Sequence, residues 1–149
     1  MADARSEQII DAIVALLSVP GLTTTGTNVH RGRAYPYQDE ELPALSVYLG
    51  SDQVIDELES SFIDWELTIV VEAYVKTVAE SVDAVLGRIR KEVHIAIMAS
   101  YTQGLSFVYD TIPENVSAPV INGEGDQTVI TQVFEYKLHY RTSRTDISA

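Results

Sequence analysis

The amino-acid sequence predicts an α+β fold, a two-layer sandwich in which a mixed or antiparallel sheet of about five strands carries two helices on one face. Two segments have apolar residues at helical spacing, one near the N-terminus and one after position 77. A long central segment alternates apolar and polar residues, as a half-buried strand does. Turn residues divide the remainder into strand-length pieces, so the predicted order is α-β-β-β-α-β-β in a single domain over 1–149.

The two predicted helices each have an apolar side and a start signal. The first begins near Asp3 or Ser6, both candidate N-caps, and ends at Ser18 before a Pro-Gly pair. The second opens at the capping-box spacing of Thr77 and Glu80. Their predicted buried positions are Ile9, Ile10, Ile13, Val14, Leu16 and Leu17 in the first, and Val82, Val85, Leu86, Ile89, Val93, Ala96 and Ile97 in the second.

Five strands are predicted from alternation and from flanking turn residues. They cover 29–35, 44–50, 63–75, 105–112 and 127–141. In the third, Trp65, Leu67, Ile69, Val71, Ala73 and Val75 share the apolar face. A loop is expected over 113–126, and the polar segment 142–149 is expected to be a flexible tail.

The composition excludes several classes of function. Ten basic and twenty-two acidic residues give a net charge of −12, which argues against binding nucleic acid over a broad face, because such binding depends on Lys and Arg. The chain has no cysteine, and therefore no disulfide framework, thiolate nucleophile or cysteine-bound zinc. The N-terminus lacks the pattern of a signal peptide, and no apolar run is long enough to span a membrane.

The residues offer no pattern typical of catalysis. His30, His94 and His139 have no metal-ligand spacing, and no serine lies in a G-x-S-x-G turn. We expect His94 to be partly buried on the second helix, and His30 and His139 to lie on the open face of the sheet or at an interface. The segment 122–126 favours a tight turn over a calcium loop, because Val133 stands where the bidentate glutamate would be needed. The sequence thus predicts no enzyme activity, no cofactor and no metal.

Charge is distributed unevenly along the chain. No lysine or arginine occurs between Arg33 and Lys76, whereas this stretch contains ten acidic residues. The acidic part from Asp52 to Glu66 is either a solvated loop or a surface past which DNA slides without binding. The basic cluster of His30, Arg31 and Arg33 either docks on an acidic patch of a neighbouring copy or lies in solvent at an edge strand.

Several segments together resemble the tail terminator (tail completion) proteins of long-tailed phages, the lambda U-type family. They are the opening helix, Val29-His30-Arg31, the segment from Leu42 to Tyr48, the strand ending Val71-Glu72-Ala73-Tyr74-Val75, the second helix, and the closing segment from Tyr136 to Thr142. The resemblance covers nearly the whole chain. It is one of layout and local sequence, since the family has no catalytic signature.

This resemblance implies a structural virion protein that assembles in the host cytoplasm. It would form a homohexameric ring on the head-proximal end of the tail tube, stop tube polymerisation, and present a surface to the head-completion or connector protein while DNA passes through the lumen. The implied lumen or tube-facing acidic loop is Asp52, Asp56, Glu57, Glu59 and Asp64. The implied subunit contacts are His30, Arg31, Arg33 and Arg141.

Two alternatives remain open from the sequence. A head–tail connector or other neck protein has the same size and layout but a different partner. An acidic DNA mimic, which occupies a DNA-binding enzyme, would arrange its carboxylates along one exposed face. In every case we expect the mixed sheet face that includes Val70, Tyr74, Val129 and Val133 to have surface available for a partner.

Overall fold

The computed structural model describes residues 2–18, 21–32, 39–57, 61–76, 81–122 and 128–149, and it confirms the predicted fold class. Two helices and a six-stranded mixed sheet form the two layers. The elements are α1 (Arg5–Ser18), β1 (Val29–Arg31), a short 3-10 turn (Asp39–Glu41), β2 (Ala44–Glu57), β3 (Phe62–Lys76), α2 (Val82–Met98), β4 (Val108–Val116), β5 (Val120–Asn122) and β6 (Val129–Ser143).

The sheet has the strand order β1-β2-β3-β6-β4, and β5 also pairs with β6. Among the strands that the structure describes, the β1–β2 pair is parallel and the other pairs are antiparallel. The centre is formed by β3 and β6, which pair along their whole length from Phe62–Ser143 to Lys76–Val129. Because these two long strands are joined by an unbroken ladder, they provide a fixed reference for the register of β2, which pairs with β3, and of β4 and β5, which pair with β6.

One face of the sheet and both helices enclose the core. The predicted alternation in β3 is confirmed, since Leu67, Ile69, Val71, Ala73 and Val75 are buried and Trp65 is half-buried. Their partners across the ladder are core residues of β6, among them Phe134, Tyr136 and Leu138. The helices add Ile9, Ile10, Ile13 and Leu17 from α1, and Val85, Leu86, Ile89, Val93 and Ile97 from α2. Both helices therefore cover the same face, as predicted.

Two strands extend further than the sequence indicated. Strand β2 runs to Glu57 instead of ending at Gly50, because the register shifts between Leu49 and Asp52 and the ladder with β3 then resumes. Glycine suits this shift, since a Cβ on Gly50 would lie 3.1 Å from the side chain of Thr68. Strand β4 continues through Pro113. Proline has no backbone N–H to donate, and an edge strand tolerates it because the outer side of the strand has no neighbour that needs a hydrogen bond.

Other expectations need correction. The segment predicted as the loop 113–126 contains the end of β4 and all of β5. His94 is exposed on α2, and Val70 is only 6% exposed although it lies on the helix-free face. The predicted tail begins inside β6, and its Ile147 carbonyl accepts a hydrogen bond from the Arg5 amide at 2.9 Å. The capping box at 77–80, residues 33–35 of the first predicted strand and the turn at 123–126 lie outside the described residues.

The turn after α1 gives a test of backbone geometry. Gly21 has φ +97°, and a Cβ there would lie 2.7 Å from the Gly26 carbonyl oxygen, whereas a Cβ on Gly26 would meet nothing within 4 Å. We expect Gly21→Ala to lower the free energy of unfolding by about 2–3 kcal/mol, because strain from positive φ and a backbone clash combine. Gly26→Ala, at φ +57°, should cost about 1 kcal/mol. Urea unfolding measures both, and equal losses would contradict the clash.

Candidate assembly surfaces

The sheet face opposite the helices, here called the open face, carries several ion pairs between neighbouring strands. Directly opposite residues on β3 and β6 alternate between the core and this face. The open-face pairs include Asp64 with Arg141, Glu66 with His139, and Val70 with Glu135. His30 lies on the same face, opposite Ser46 in the β1–β2 ladder. His30 and His139 therefore occupy the open face, as expected.

Asp64 and Arg141 form a bidentate ion pair across the β3–β6 ladder. Arginine Nε lies 2.7 Å from one carboxylate oxygen and an NH2 nitrogen lies 3.2 Å from the other. Asp64 is only 8% exposed, and the hydrogen bond to it raises the pKa of Arg141. The sequence placed Asp64 in an acidic loop, but it belongs to β3 and its charge is balanced within the chain. Buried carboxylates need such a partner.

A second ion-pair network on the open face connects three strands. The Glu66 carboxylate lies 2.9 Å from His139 Nε2 and 3.1 Å from Lys137 Nζ, and Lys137 also lies 3.1 Å from Glu114 on β4. Hydrogen bonds from His139 and then Lys137 lower the pKa of Glu66. Sequence reasoning missed this network. Alternation put Glu66 on one face of its strand, but no local pattern specifies the register that brings Lys137 and His139 beside it.

The Glu66 network predicts a change in acid stability. Because the folded pKa of Glu66 is lowered, its contribution is present above the ordinary glutamate pKa of about 4.3 and is lost as the pH falls through the folded pKa. We expect Glu66→Gln to reduce stability at pH 7 by about 1 kcal/mol or less and to weaken the loss of stability on acidification. Unfolding curves between pH 7 and pH 3 measure this, with Glu40→Gln as an exposed control. Parallel pH dependences for wild type and Glu66→Gln would contradict it.

The acidic residues of the 52–59 region lie on a strand instead of the predicted loop. Asp52, Asp56 and Glu57 belong to β2, and Glu59 lies outside the described residues. The Asp52 carboxylate accepts a hydrogen bond of 2.5 Å from the Tyr140 hydroxyl. Burial raises the pKa of Asp52 more than this hydrogen bond lowers it. Burial and the bond to Asp52 also raise the pKa of Tyr140.

The end of the β2–β3 hairpin combines acidic and exposed apolar side chains. Val54, Ile55 and Phe62 are 44%, 45% and 44% exposed, and Asp56 is exposed beside them. We call Val54, Ile55, Asp56 and Phe62 the hairpin tip. Three large apolar side chains in solvent at one end of a hairpin are typical of a contact surface. The run of acidic residues in the sequence predicted the charge of the hairpin tip, but not its exposed apolar side chains.

The basic cluster near β1 also has partners inside the chain. Arg31 forms salt bridges with Glu7 and, at 3.0 Å, with Asp11, both on α1. These pairs connect the edge strand to the helix that covers it. Arg33 lies outside the described residues. The assignment of His30, Arg31, Arg33 and Arg141 to subunit contacts stays a prediction.

The edge of the sheet formed by β4 and β5 has a second group of exposed apolar side chains. Along β4 and β5, Ile112, Val120 and Ile121 are 40%, 53% and 70% exposed. A cavity of about 720 Å³, which we call the α2–β4 cleft, lies between α2 and the β4 edge of the sheet. Its helical wall includes Arg90 and His94, and its sheet wall includes Pro113, Val116, Phe134 and Tyr136. Sequence reasoning missed this cleft because β4 was predicted to end before Pro113.

The exposed surface of α2 is basic. Arg88, Arg90 and Lys91 are exposed within four consecutive positions of a chain that has only ten basic residues. His94 follows Arg90 by one helical turn, and its Nδ1 lies 3.4 Å from the Tyr136 hydroxyl. Burial raises the pKa of Tyr136, whereas the charge of Arg90 lowers it, so the guanidinium lies close to the cleft. The chain thus has an acidic, apolar surface on one side and a basic, apolar surface on the other.

Within the described ranges, no group of three or more His, Asp or Glu side chains could hold a metal ion. No helix in the part of the chain that the structure describes is long and apolar enough to cross a membrane. The chain matches no protein-family model and no curated protein.

Proposed function

We propose that this chain is a ring-forming structural protein of a long-tailed phage, a tail terminator of the lambda U type. Six copies close into a ring on the head-proximal end of the tail tube. The ring stops tube polymerisation and provides the surface that the head-completion or connector protein binds. DNA passes through its lumen as cargo, and the role requires no bond to be made or broken.

The observation that carries this proposal is the presence of two different exposed apolar surfaces at opposite edges of one sheet, one at the β2 edge and one at the β4 edge. The hairpin tip exposes Val54 and Ile55 on β2 and Phe62 on β3, and the other edge of the sheet exposes Ile112 on β4 and Ile121 on β5. Two unlike surfaces on opposite sides favour head-to-tail contacts between identical copies. Such contacts close into a ring when the rotation between copies permits it.

The charge of the chain supports passage of DNA in preference to binding. Six copies at −12 each repel a phosphate backbone, and strong DNA binding would need clustered Lys and Arg facing the lumen. The basic residues Arg31, Lys137 and Arg141 are all occupied by carboxylates of the same chain. Within this proposal, Asp52, Glu57 and Glu59 remain candidates for the surface that faces the lumen or the tube. Asp56 was predicted for the same surface, but its position among the exposed apolar side chains of the hairpin tip makes it a candidate for a contact between copies.

The proposal is tested in two stages. Sedimentation over a concentration series and negative-stain images of the purified chain should show rings with a central hole, or single copies that assemble once tubes are supplied. The chain should then shorten the tubes formed by the tail-tube protein of the same phage. Tubes of unchanged length and number in the presence of the chain would overturn terminator function.

A head–tail connector is the second candidate, because the same pair of surfaces would also build a ring elsewhere in the neck. Binding of the purified ring to the head-completion protein but not to tube ends would favour it. A DNA mimic is disfavoured by the open face. There Asp64 is paired with Arg141 and Glu66 with Lys137, which breaks up any continuous array of free carboxylates.

A further inference from the structure

We propose that the hairpin tip of one copy inserts into the α2–β4 cleft of the next copy, and that this contact is the repeating junction of the ring. The inference rests on the proposed function for its ring geometry. It goes further by naming both halves of the junction and the chemistry that joins them, an acidic, apolar segment held between a cationic helix and an apolar sheet edge.

The cleft has walls of two kinds. Arg90 and His94 line its helical side, and Val116, Phe134 and Pro113 line its sheet side. Two acidic residues also line it. Glu114 is ion-paired with Lys137 at 3.1 Å, and Glu135 belongs to the open face, where it lies opposite Val70 and where burial, together with its charge, raises the pKa of Tyr48. The cleft therefore suits a segment with apolar side chains on one side and a carboxylate on the other.

The hairpin tip has that composition. Ile55 is 45% exposed, Val54 is 44% exposed, and Asp56 follows directly as an exposed carboxylate. In the sequence, Glu57 comes next. Arg141 of β6 lies beside the tip, 5.6 Å from the Phe62 ring, but its charge is balanced by Asp64, so it does not cancel the negative charge of Asp56 that would meet Arg90.

A chain cannot fill its own cleft with its own tip. The tip lies at the Phe62–Ser143 end of the β3–β6 ladder, and the cleft lies beside Phe134, nine positions along the same ladder. At the usual rise of a strand this is a separation of roughly 30 Å. The tip also lies on the β2 side of the sheet and the cleft on the β4 side. Only a second copy can supply the contact, and each copy then offers one tip and one cleft.

The test uses two charge reversals and their mixture. Arg90→Glu changes the cleft, Asp56→Arg changes the tip, and each should weaken self-association by roughly 30-fold at constant salt, as measured by sedimentation. When the two variants are mixed, the intact tip of the first meets the intact cleft of the second. At the alternate junction, the arginine introduced in the tip meets the glutamate introduced in the cleft, so the charges are again opposite. The mixture should therefore associate where neither variant does alone.

Lys91→Glu and Glu40→Arg are the matched controls, because they make the same changes in net charge at exposed positions outside the cleft and the tip. Both should associate as wild type does, and circular dichroism checks that every variant is folded. Rings unaffected by Arg90→Glu or Asp56→Arg, or a mixture that fails to recover association, would overturn the junction and leave the ring proposal standing. A wild-type chain that stays monomeric at all concentrations, both without and with tail tubes, would also overturn the junction, whereas terminator function is decided separately by tube length.

Discussion

Phe134→Ala should lower the free energy of unfolding by about 3–5 kcal/mol, the largest single loss that we expect for a substitution in this chain. Phe134 is 1% exposed and lies opposite Val71 in the central ladder, within the core that both helices cover. Removing its ring leaves a cavity that the surrounding strands cannot fill, because β3 and β6 are held in place by a fully paired ladder. Urea or thermal unfolding followed by circular dichroism measures the loss.

Phe62→Ala is the matched control for this prediction. It removes the same ring from a position that is 44% exposed, where the ring contacts the Arg141 guanidinium at 5.6 Å. We expect a loss of about 1 kcal/mol or less, since most of the ring is not removed from water on folding. Similar losses for the two variants would mean that Phe134 does not lie in a close-packed core.

Ile55→Lys should abolish ring formation while leaving the fold intact. The side chain is 45% exposed at a register shift in β2, so the chain loses little buried area when it is replaced. In an assembled ring the same position would be covered, and a lysine there would place an unpaired charge in an apolar contact beside Arg90. We expect self-association to weaken by about 30-fold or more, measured by sedimentation and by counting rings in micrographs.

Ile95→Lys separates this effect from a general change in surface chemistry. Ile95 is 59% exposed on α2 and belongs neither to the hairpin tip nor to the lining of the α2–β4 cleft. The variant makes the same exchange of an exposed isoleucine for a lysine, and it should leave assembly and stability unchanged. Loss of rings in both variants, or in neither, would contradict the assignment of Ile55 to the contact.

The fold was predictable because its main signals are local. Alternation in 63–75 predicted β3 and its buried face, and apolar spacing predicted α1 and α2 with most of their buried residues. Strand ends were predicted less well. Local sequence predicts strand ends at Gly50 and before Pro113, but β2 continues past a register shift and β4 continues along an edge. Both residues are tolerated for reasons that depend on the neighbouring strand, which local sequence does not contain.

The partners of the acidic side chains were also beyond the reach of local sequence. The sequence determined that 34–75 carries ten acidic residues and no basic ones. It could not determine that Asp64 is bound by Arg141, that Asp52 accepts a hydrogen bond from Tyr140, or that Asp56 stays exposed beside Ile55. Those partners are 77 and 88 positions away along the chain.

The class of fold, the faces of the long elements and the sign of the charge could be predicted, because each follows from residue type and from spacing within one segment. Contacts between distant segments determine which carboxylates are neutralised, where apolar side chains remain in solvent, and that a cleft with Arg90 and His94 on its helical wall lies at the opposite edge of the sheet from the hairpin tip. The physical reason is register. Pairing between β3 and β6 depends on long-range contacts, and one residue of slip would place every side chain on the other face.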